Sequence, residues 1–193
     1  NFSVKTGREP GETLAGEEIR KLLQHPEMPK LNSRTEMLLY IAAGIEFFEQ
    51  TIRPCLIEGE IFISDRWRDS TEAYQGFGLG IDREIIQRLT NFSCDGAYPD
   101  LTFLIDVDPK IGLENVSGNE FTGHKRDKIE SRDLEYHERV NEGFRKIAKE
   151  NPKRFRVIPY RKDDVSSMHE QIREYTKSYI ESQDLGKNLL RKT

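Results

Sequence analysis

The fold of this 193-residue chain is decided by an apolar segment that ends in two charged residues, Ile61-Phe62-Ile63-Ser64-Asp65-Arg66. Short apolar runs bounded by polar residues are typical of β-strands, and this run predicts a strand over residues 60–64. Three similar runs predict strands over residues 2–5, 101–107 and 155–158. The run that begins at Leu101 is almost unbroken, as expected of a strand that is covered on both faces.

Helical periodicity separates the predicted strands. Apolar residues recur every three or four positions in five segments, 16–24, 33–58, 82–93, 133–150 and 164–182. Ser33, with Glu36 three residues later, predicts a capping box at the start of the second helix. Strands that alternate with helices are joined by right-handed crossovers into a parallel sheet with helices on both faces. The sequence therefore predicts an α/β fold with three layers, α/β/α, in a single domain over residues 1–193.

The composition narrows the possible functions. Lys and Arg number 30 against 34 Asp and Glu, a formal net charge of −4, which argues against a nucleic-acid partner. No run approaches 18 apolar residues, so we predict neither a membrane-spanning helix nor a membrane partner. The two cysteines, Cys55 and Cys94, give no disulfide framework, and this favours the reducing cytoplasm.

Charged residues follow the predicted strands, at the edge where α/β proteins bind ligands. Asp65 is placed like the carboxylates that hold Mg²⁺ near phosphates, and the Arg66 guanidinium can grip a phosphate with two hydrogen bonds. Arg8 follows the first predicted strand in the same way. The alternative is that Asp65 and Arg66 form only a structural ion pair, which burial away from any cleft would support.

Two further segments are candidates for moving parts. The first, Gly76-Phe77-Gly78-Leu79-Gly80, follows a predicted helix and not a strand, so it predicts a flexible loop rather than a dinucleotide-binding fingerprint. The second, residues 115–128, is polar and ends in His124-Lys125-Arg126-Asp127-Lys128. We predict a lid that closes cations over phosphates, with a solvated loop as the alternative.

Three catalytic or metal motifs are absent from these 193 residues. The histidines and cysteines have no zinc spacing, and no Gly-x-Ser-x-Gly nucleophile elbow occurs. The phosphate loop Gly-x-x-x-x-Gly-Lys followed by Ser or Thr is missing too.

An ordered series of motifs nevertheless resembles the thymidylate kinases, nucleoside monophosphate kinases of the P-loop class. The series covers nearly the whole chain and includes Arg8-Glu9-Pro10-Gly11, Leu38-Leu39-Tyr40, Asp65-Arg66-Trp67, Ala73-Tyr74-Gln75-Gly76, Tyr98-Pro99-Asp100 and Asp127-Lys128-Ile129-Glu130. The resemblance implies a five-stranded parallel sheet and a homodimer. It also implies transfer of the γ-phosphoryl group from ATP, with Mg²⁺, to deoxythymidine monophosphate (dTMP) for dTTP synthesis.

The resemblance also implies roles for individual residues. Arg66 would hold the acceptor phosphate, Asp65 would lie near the metal and the phosphates, and Arg126 with Lys125 or Lys128 would cap the transferring group. His124, Lys125, Arg126 and Lys128 would belong to the lid. Tyr40 would stack on the base in a pocket lined by Arg8 and Pro10, and the base and sugar would contact Thr71, Tyr74 and Gln75. Tyr74 would crowd the sugar and disfavour a ribose 2′-hydroxyl.

The chain departs from the family pattern at the arginine that recognises thymine, which aligns with Gly44. Deletion of a hydrogen-bond donor weakens discrimination by a polar site. Two alternatives follow: a kinase for a different nucleoside monophosphate, and a catalytically silent family member. Lys128, Leu79 and Pro159 also replace residues that are common in the family.

The missing phosphate loop has an explanation in the same resemblance. The family's first strand, phosphate loop and first helix precede the Arg-Glu-Pro-Gly motif, so residues 2–5 would be the second strand. We therefore expect about thirty further residues upstream in the natural protein. A phosphate loop cradles the nucleotide with consecutive backbone N–H groups, so the chain without it is expected to transfer phosphate poorly.

Overall fold

The computed structural model describes residues 2–117 and 127–183. Strands and helices alternate along the chain, as the α/β prediction requires. The elements are β1 Val4–Arg8, α1 Leu14–Gln24, α2 Ser33–Phe47, α3 Arg53–Ile57, β2 Ile61–Asp65, α4 Arg68–Thr71, α5 Arg83–Ser93, β3 Thr102–Asp106, α6 Pro109–Ser117, α7 Leu134–Glu150, β4 Phe155–Pro159 and α8 Val165–Ser182. Two π-helical segments, Phe48–Ile52 and Glu72–Gly78, interrupt the α-helical geometry.

The described strands form two parallel pairs. β1 pairs with β2, and the register places Arg8 opposite Asp65 at the carboxyl ends of the two strands. β3 pairs with β4, with Thr102 opposite Phe155. The chain divides into two compact units, one of residues 1–98 and 109–147 and the other of residues 99–108 and 148–193. Every described residue of the predicted site lies in the first unit.

Two clusters of buried apolar side chains form the core of the first unit. Both use α2 and its continuation, which is why this helix is apolar around most of its circumference. One cluster packs α2 against α5 through Met37, Ile41 and Ile86. The other contains Phe47, Phe48, Ile52 and Cys94, with Phe62 and Trp67 at its edge.

The segment predicted as one helix over residues 33–58 is helical without a break from Ser33 to Ile57, but it is not α-helical throughout. Its middle part, Phe48–Ile52, is π-helical, and α3 follows directly with Pro54 in its first turn. Proline has no backbone N–H and its ring clashes with the carbonyl four residues earlier. The wider π turn before Pro54 accommodates that missing hydrogen bond.

Several local predictions need correction. The first strand runs from Val4 to Arg8, so it reaches the charged residue that the prediction left outside it. The N-cap of α2 is Asn32, whose side chain accepts a hydrogen bond from the Arg34 N–H. The capping box at Ser33 is therefore wrong, because the residue before it already caps the helix.

Helical content was underestimated in two places. α6 was not predicted, because its short Pro109–Ser117 segment has little apolar periodicity. Gly76 and Gly78 belong to the π-helical segment that ends at Gly78, so the predicted flexible loop is wrong for these positions. Both glycines are buried there, and helix packing explains their small size better than loop mobility does.

Two apolar side chains of the predicted strands are exposed in the structure. Ile63 in the middle of β2 is 56% exposed, and Ile105 in β3 is 39% exposed. An apolar run indicates that a strand is suited to burial, but it does not indicate which parts of the protein cover that strand.

Close contacts between glycines and aromatic rings join α7 to the π-helical segment Glu72–Gly78. A Cβ atom built on Gly143 would lie 2.6 Å from ring atoms of Phe77, and one on Gly78 would lie 2.5 Å from the Tyr136 ring. A side chain at either glycine would overlap its neighbour, so the two helical segments approach each other at van der Waals distance because these positions have no side chain.

The second unit is small. It consists of the β3–β4 pair and α8, which packs on β4 with Met168 buried. Arg154, just before β4, contacts Thr102 at the start of β3 through two hydrogen bonds. The Arg154 carbonyl oxygen accepts from the Thr102 N–H at 2.8 Å, and Arg154 Nη1 donates to Thr102 Oγ1 at 3.1 Å.

Among the described residues, no helix combines the length and the apolar character that crossing a bilayer would require.

Candidate functional site

The site begins where β1 and β2 end side by side. Arg8 and Asp65 are register partners at the last position of their strands, and the Glu9 N–H donates to the Asp65 carbonyl oxygen at 3.0 Å. The side chains of Asp65 and Arg66 are exposed, and no ion pair joins them in the part of the chain that the structure describes. The alternative of a buried structural pair is therefore not supported.

Arg66 is held by its neighbours in an uncommon backbone conformation. Its φ angle is +67°, in the left-handed region that residues with a side chain rarely adopt. The Ser64 hydroxyl donates to the Arg66 carbonyl oxygen at 2.5 Å. Arg66 Nη1 donates to the Tyr74 hydroxyl at 3.1 Å, and the guanidinium lies 5.3 Å from the centre of that ring. These contacts fix the direction of the guanidinium and leave other N–H groups for a ligand.

The loop after β1 places Arg8 and Pro10 at the same end of the strand pair. Arg8 Nη2 lies 3.3 Å from Glu17 Oε1, in an ion pair that is about half exposed. The Glu12 N–H also donates to that carboxylate, and this bond together with Arg8 lowers the pKa of Glu17. Pro10 is buried, and its carbonyl oxygen accepts from Arg20 Nη1 at 2.8 Å.

Tyr40 lies on α2 with Glu36 one turn before it and Gly44 one turn after it. Residues four apart lie on one face of a helix, so these three positions form a single strip along α2. Burial raises the pKa of the Tyr40 phenol. A hydrogen bond with Gln24 acts in the opposite direction but is the smaller effect. The ring is therefore neutral at physiological pH and is suited to stack on an uncharged partner.

Thr71 and Gln75 are both buried, at the end of α4 and in the π-helical segment that follows. Gln75 Nε2 donates to Glu36 Oε1 at 3.1 Å. The other carboxylate oxygen of Glu36 accepts from Arg132 Nη2 at 2.6 Å. Glu36 is only 5% exposed, so it holds the amide of Gln75 and the guanidinium of Arg132 in one buried cluster on the α2 strip.

Tyr74 and Tyr136 close this cluster. The two rings lie 6.4 Å apart, and Phe144 meets Tyr74 edge-on at 5.9 Å. The Tyr136 hydroxyl donates to the Tyr74 carbonyl oxygen at 3.4 Å. The ring that orients Arg66 is itself held by α7.

Glu9 fills the space beside Gly44. A Cβ atom at position 44 would lie 2.5 Å from Glu9 Oε1, so the carboxyl group occupies the direction in which a side chain would leave α2. Glu9 is 7% exposed, and its burial raises the pKa of the carboxyl group to about 8. The space beside Gly44 is therefore occupied by the Glu9 carboxyl group and is not open.

The predicted lid lies mostly outside the described residues, which include neither His124, Lys125 nor Arg126. The first residues of the predicted lid belong to α6, which ends at Ser117. Lys128 is described, and its Nζ donates to the Pro29 carbonyl oxygen at 2.8 Å. Its backbone N–H donates to the Gln24 carbonyl oxygen, so this end of the segment is anchored next to the end of α1.

The described residues hold no cluster of three or more potential metal-ligating side chains. Asp65 is a single exposed carboxylate at a strand end. Mg²⁺ in phosphoryl-transfer sites is bound by one or two carboxylates together with substrate phosphates and water, so a single aspartate fits this ion.

The sequence alone did not indicate that Glu36, Arg132 and Glu9 lie beside the predicted site residues. Glu36 was interpreted as half of a capping box, although its spacing to Tyr40 already put it on the same helical face. Glu9 belongs to a motif that was noticed, but its burial follows only from the packing of β1 on α2. Arg132 had no sequence signal, because it is one charged residue in a charged segment.

Comparisons with known proteins agree with this geometry. The thymidylate kinase family matches residues 1–172. A thymidylate kinase from an Exiguobacterium species is 37% identical over 175 residues, 91% of this chain and 80% of the relative. A thymidylate kinase from Carboxydothermus hydrogenoformans is 43% identical over 155 residues, 80% of this chain and 73% of the relative.

The structural comparison gives the same family. The crystal structure of thymidylate kinase from Ehrlichia chaffeensis superposes with a TM-score of 0.73 at 38% identity, and the match covers 91% of this chain and 81% of that one. This confirms the predicted resemblance and the α/β fold of the P-loop class. Sequence, fold and neighbours together show that the chain belongs to the thymidylate kinase family of nucleoside monophosphate kinases.

Proposed function

We propose that this protein transfers the γ-phosphoryl group of ATP to dTMP, in the synthesis of deoxynucleotides, with Arg66 holding the acceptor phosphate. One observation carries the proposal: Arg66 is an exposed residue at the carboxyl end of β2, and Tyr74 orients its guanidinium group. Phosphoryl transfer asks the protein to align donor and acceptor and to neutralise charge, which a fixed guanidinium can do.

The base and sugar of the acceptor would lie along the α2 strip. Tyr40 would stack on the base, and Thr71 and Gln75 would contact its edge from the side of α4. Arg8 and Pro10 would line the same pocket. Tyr74 would lie against the sugar, since its hydroxyl already meets the guanidinium that holds the phosphate.

Asp65 would hold Mg²⁺ together with the phosphates of ATP. When bound, the ion neutralises phosphate charge and orients the transferring group. The exposed carboxylate and its position beside Arg8 in the strand register support this placement. Arg126, with Lys125 or Lys128, would add positive charge over the transferring group; of these, the Lys128 ammonium group contacts the Pro29 carbonyl oxygen.

A panel of nucleoside monophosphates tests the proposal. Each of dTMP, dUMP, dCMP, dGMP and dAMP is offered with ATP and Mg²⁺ to the full-length natural protein, and diphosphate formation is measured. We expect kcat/KM for dTMP to exceed that for each of the other monophosphates by at least tenfold. The Asp65→Asn variant is expected to have low turnover. Preference for a purine would favour the alternative substrate, and dTMP binding without any turnover would favour a silent family member.

We also propose a cytoplasmic homodimer. Exposed apolar side chains on α2 and α5 support an interface there: Leu38 is 51% exposed, Ile85 50% and Phe92 76%. Large apolar side chains that are exposed on two neighbouring helices are suited to protein–protein contacts. Light scattering is expected to give twice the monomer mass, and Phe92→Asp is expected to lower that value. A monomer at micromolar concentration would contradict the proposal.

A further inference from the structure

Position 44 of this chain offers no hydrogen-bond donor to a base. Glycine has no side chain, and Glu9 already occupies the direction in which one would extend. A carboxyl group accepts hydrogen bonds when ionised and offers one donor when protonated, so Glu9 does not reproduce the several N–H groups of an arginine. If the pocket recognises a carbonyl oxygen, the donor must come from another residue.

Arg132 reaches the same strip from a different element. It lies just before α7, and its Nη2 donates to Glu36 one turn away from Tyr40 on α2. Gln75 donates to the other oxygen of that carboxylate, so Arg132 and Gln75 are held by a single group. The guanidinium carbon lies 4.5 Å from the centre of the Tyr136 ring, in a cation–π contact. The guanidinium is therefore fixed beside the two residues that would contact the base.

One donor of Arg132 has no partner. Its Nη1 atom is buried and makes no hydrogen bond among the residues that the structure describes. A buried N–H group without an acceptor is unfavourable, and a ligand that supplies the acceptor removes this cost. The charge of Arg132 also acts on Tyr40: burial raises the pKa of that phenol, and Arg132 opposes the rise.

We infer that Arg132 is a specificity-determining residue, whose Nη1 donates to the O4 carbonyl oxygen of a pyrimidine base stacked on Tyr40. The inference rests on the proposed function for the position of the base. It names the ligand class as 4-oxo pyrimidine monophosphates, thymine and uracil, in preference to cytosine. Cytosine carries an amino group at this position, which cannot accept the hydrogen bond and would face a guanidinium donor.

Acceptor binding to the chain tests the inference without any requirement for turnover. The dissociation constants of dTMP and dCMP are measured by calorimetry for the wild type and for Arg132→Ala. We expect dTMP to bind about tenfold or more weakly in the variant, because one charge-assisted hydrogen bond is lost. The affinity for dCMP is expected to change less than about threefold, so the ratio of the two affinities falls.

Two further variants separate specificity from folding. Arg132→Ala leaves the buried Glu36 carboxylate without its cation, which destabilises the fold by itself. In the double variant Arg132→Ala/Glu36→Gln, residue 36 is uncharged and still accepts from Gln75, and the same fall in the affinity ratio is expected. Arg88→Ala removes an exposed arginine of α5 and is expected to leave both affinities unchanged.

Equal weakening of dTMP and dCMP in the double variant would overturn the inference and leave Arg132 a structural residue. Unchanged affinities would overturn it as well. Wild-type protein that binds dTMP but never phosphorylates it would contradict only the proposed function. Wild-type protein that binds no pyrimidine monophosphate would contradict both.

Discussion

Replacing Arg66 with alanine is expected to weaken binding of the acceptor monophosphate by about a hundredfold and to lower kcat/KM by at least that factor. Arg66 is exposed at the end of β2, and its Nη1 donates to the Tyr74 hydroxyl at 3.1 Å, which orients the guanidinium group. Loss of a charge-assisted, bidentate contact to phosphate removes about 2–5 kcal/mol of binding energy. Calorimetry with dTMP and steady-state kinetics measure the two effects, with the exposed Arg173→Ala as the control.

The backbone at residue 66 makes a second variant informative. Its φ of +67° costs a non-glycine residue about 1–2 kcal/mol, and glycine adopts this conformation without that cost. Arg66→Gly is therefore expected to be at least as stable as Arg66→Ala and equally poor in acceptor binding. Backbone strain at a site is retained where a side chain is needed there. An Arg66→Ala protein with unchanged kcat/KM would remove Arg66 from the mechanism.

Replacing Glu9 with glutamine is expected to stabilise the protein above pH 8 and to have little effect near pH 5. Burial raises the pKa of Glu9 from 4.5 to about 8 in the folded protein. Between these values the folded state holds a proton that the unfolded state releases, so the contribution of Glu9 to stability falls as pH rises and levels off above pH 8. The whole change amounts to at most about 5 kcal/mol.

Urea unfolding at pH 5, 7 and 9 measures this difference. Glutamine keeps the size of the side chain and cannot ionise, so the difference between variant and wild type isolates the titration of Glu9. Glu84→Gln, at an exposed position in an ion pair with Arg88, is the control and is expected to change stability by less than about 0.5 kcal/mol at every pH. If the free energy of unfolding changed with pH in the same way for Glu9→Gln and the wild type, the Glu9 carboxyl group would be hydrated in solution and the prediction would be wrong.

The strands and most helices were predictable because their signals are local. The apolar run that ends in Asp65 located β2 within one residue, and the same run predicts a ligand site at Asp65 and Arg66. The first strand was placed two residues early, because the polar residues Thr6, Gly7 and Arg8 give no strand signal. They pair with β2 all the same, since β2 supplies the hydrogen bonds.

The proposed base pocket could be predicted only in part. Tyr40 and Gln75 came from motifs, whereas the ion pair between Glu36 and Arg132 joins residues that are 96 positions apart. Such a contact depends on how α2 and the start of α7 approach each other, and periodicity carries no information about this. The significance of Gly44 was clear from the family pattern, but the acid group that occupies its surroundings was not.

The contact between α7 and the segment that carries Tyr74 and Gln75 also limits how this protein can evolve. Phe77 fits because residue 143 is glycine, and Tyr136 fits because residue 78 is glycine. Any side chain at 143 would meet Phe77, and any side chain at 78 would meet both the Tyr136 ring and a methyl group of Val140. A substitution at either glycine therefore requires its neighbours to change as well, and a route that changes one position alone would pass through a destabilised intermediate.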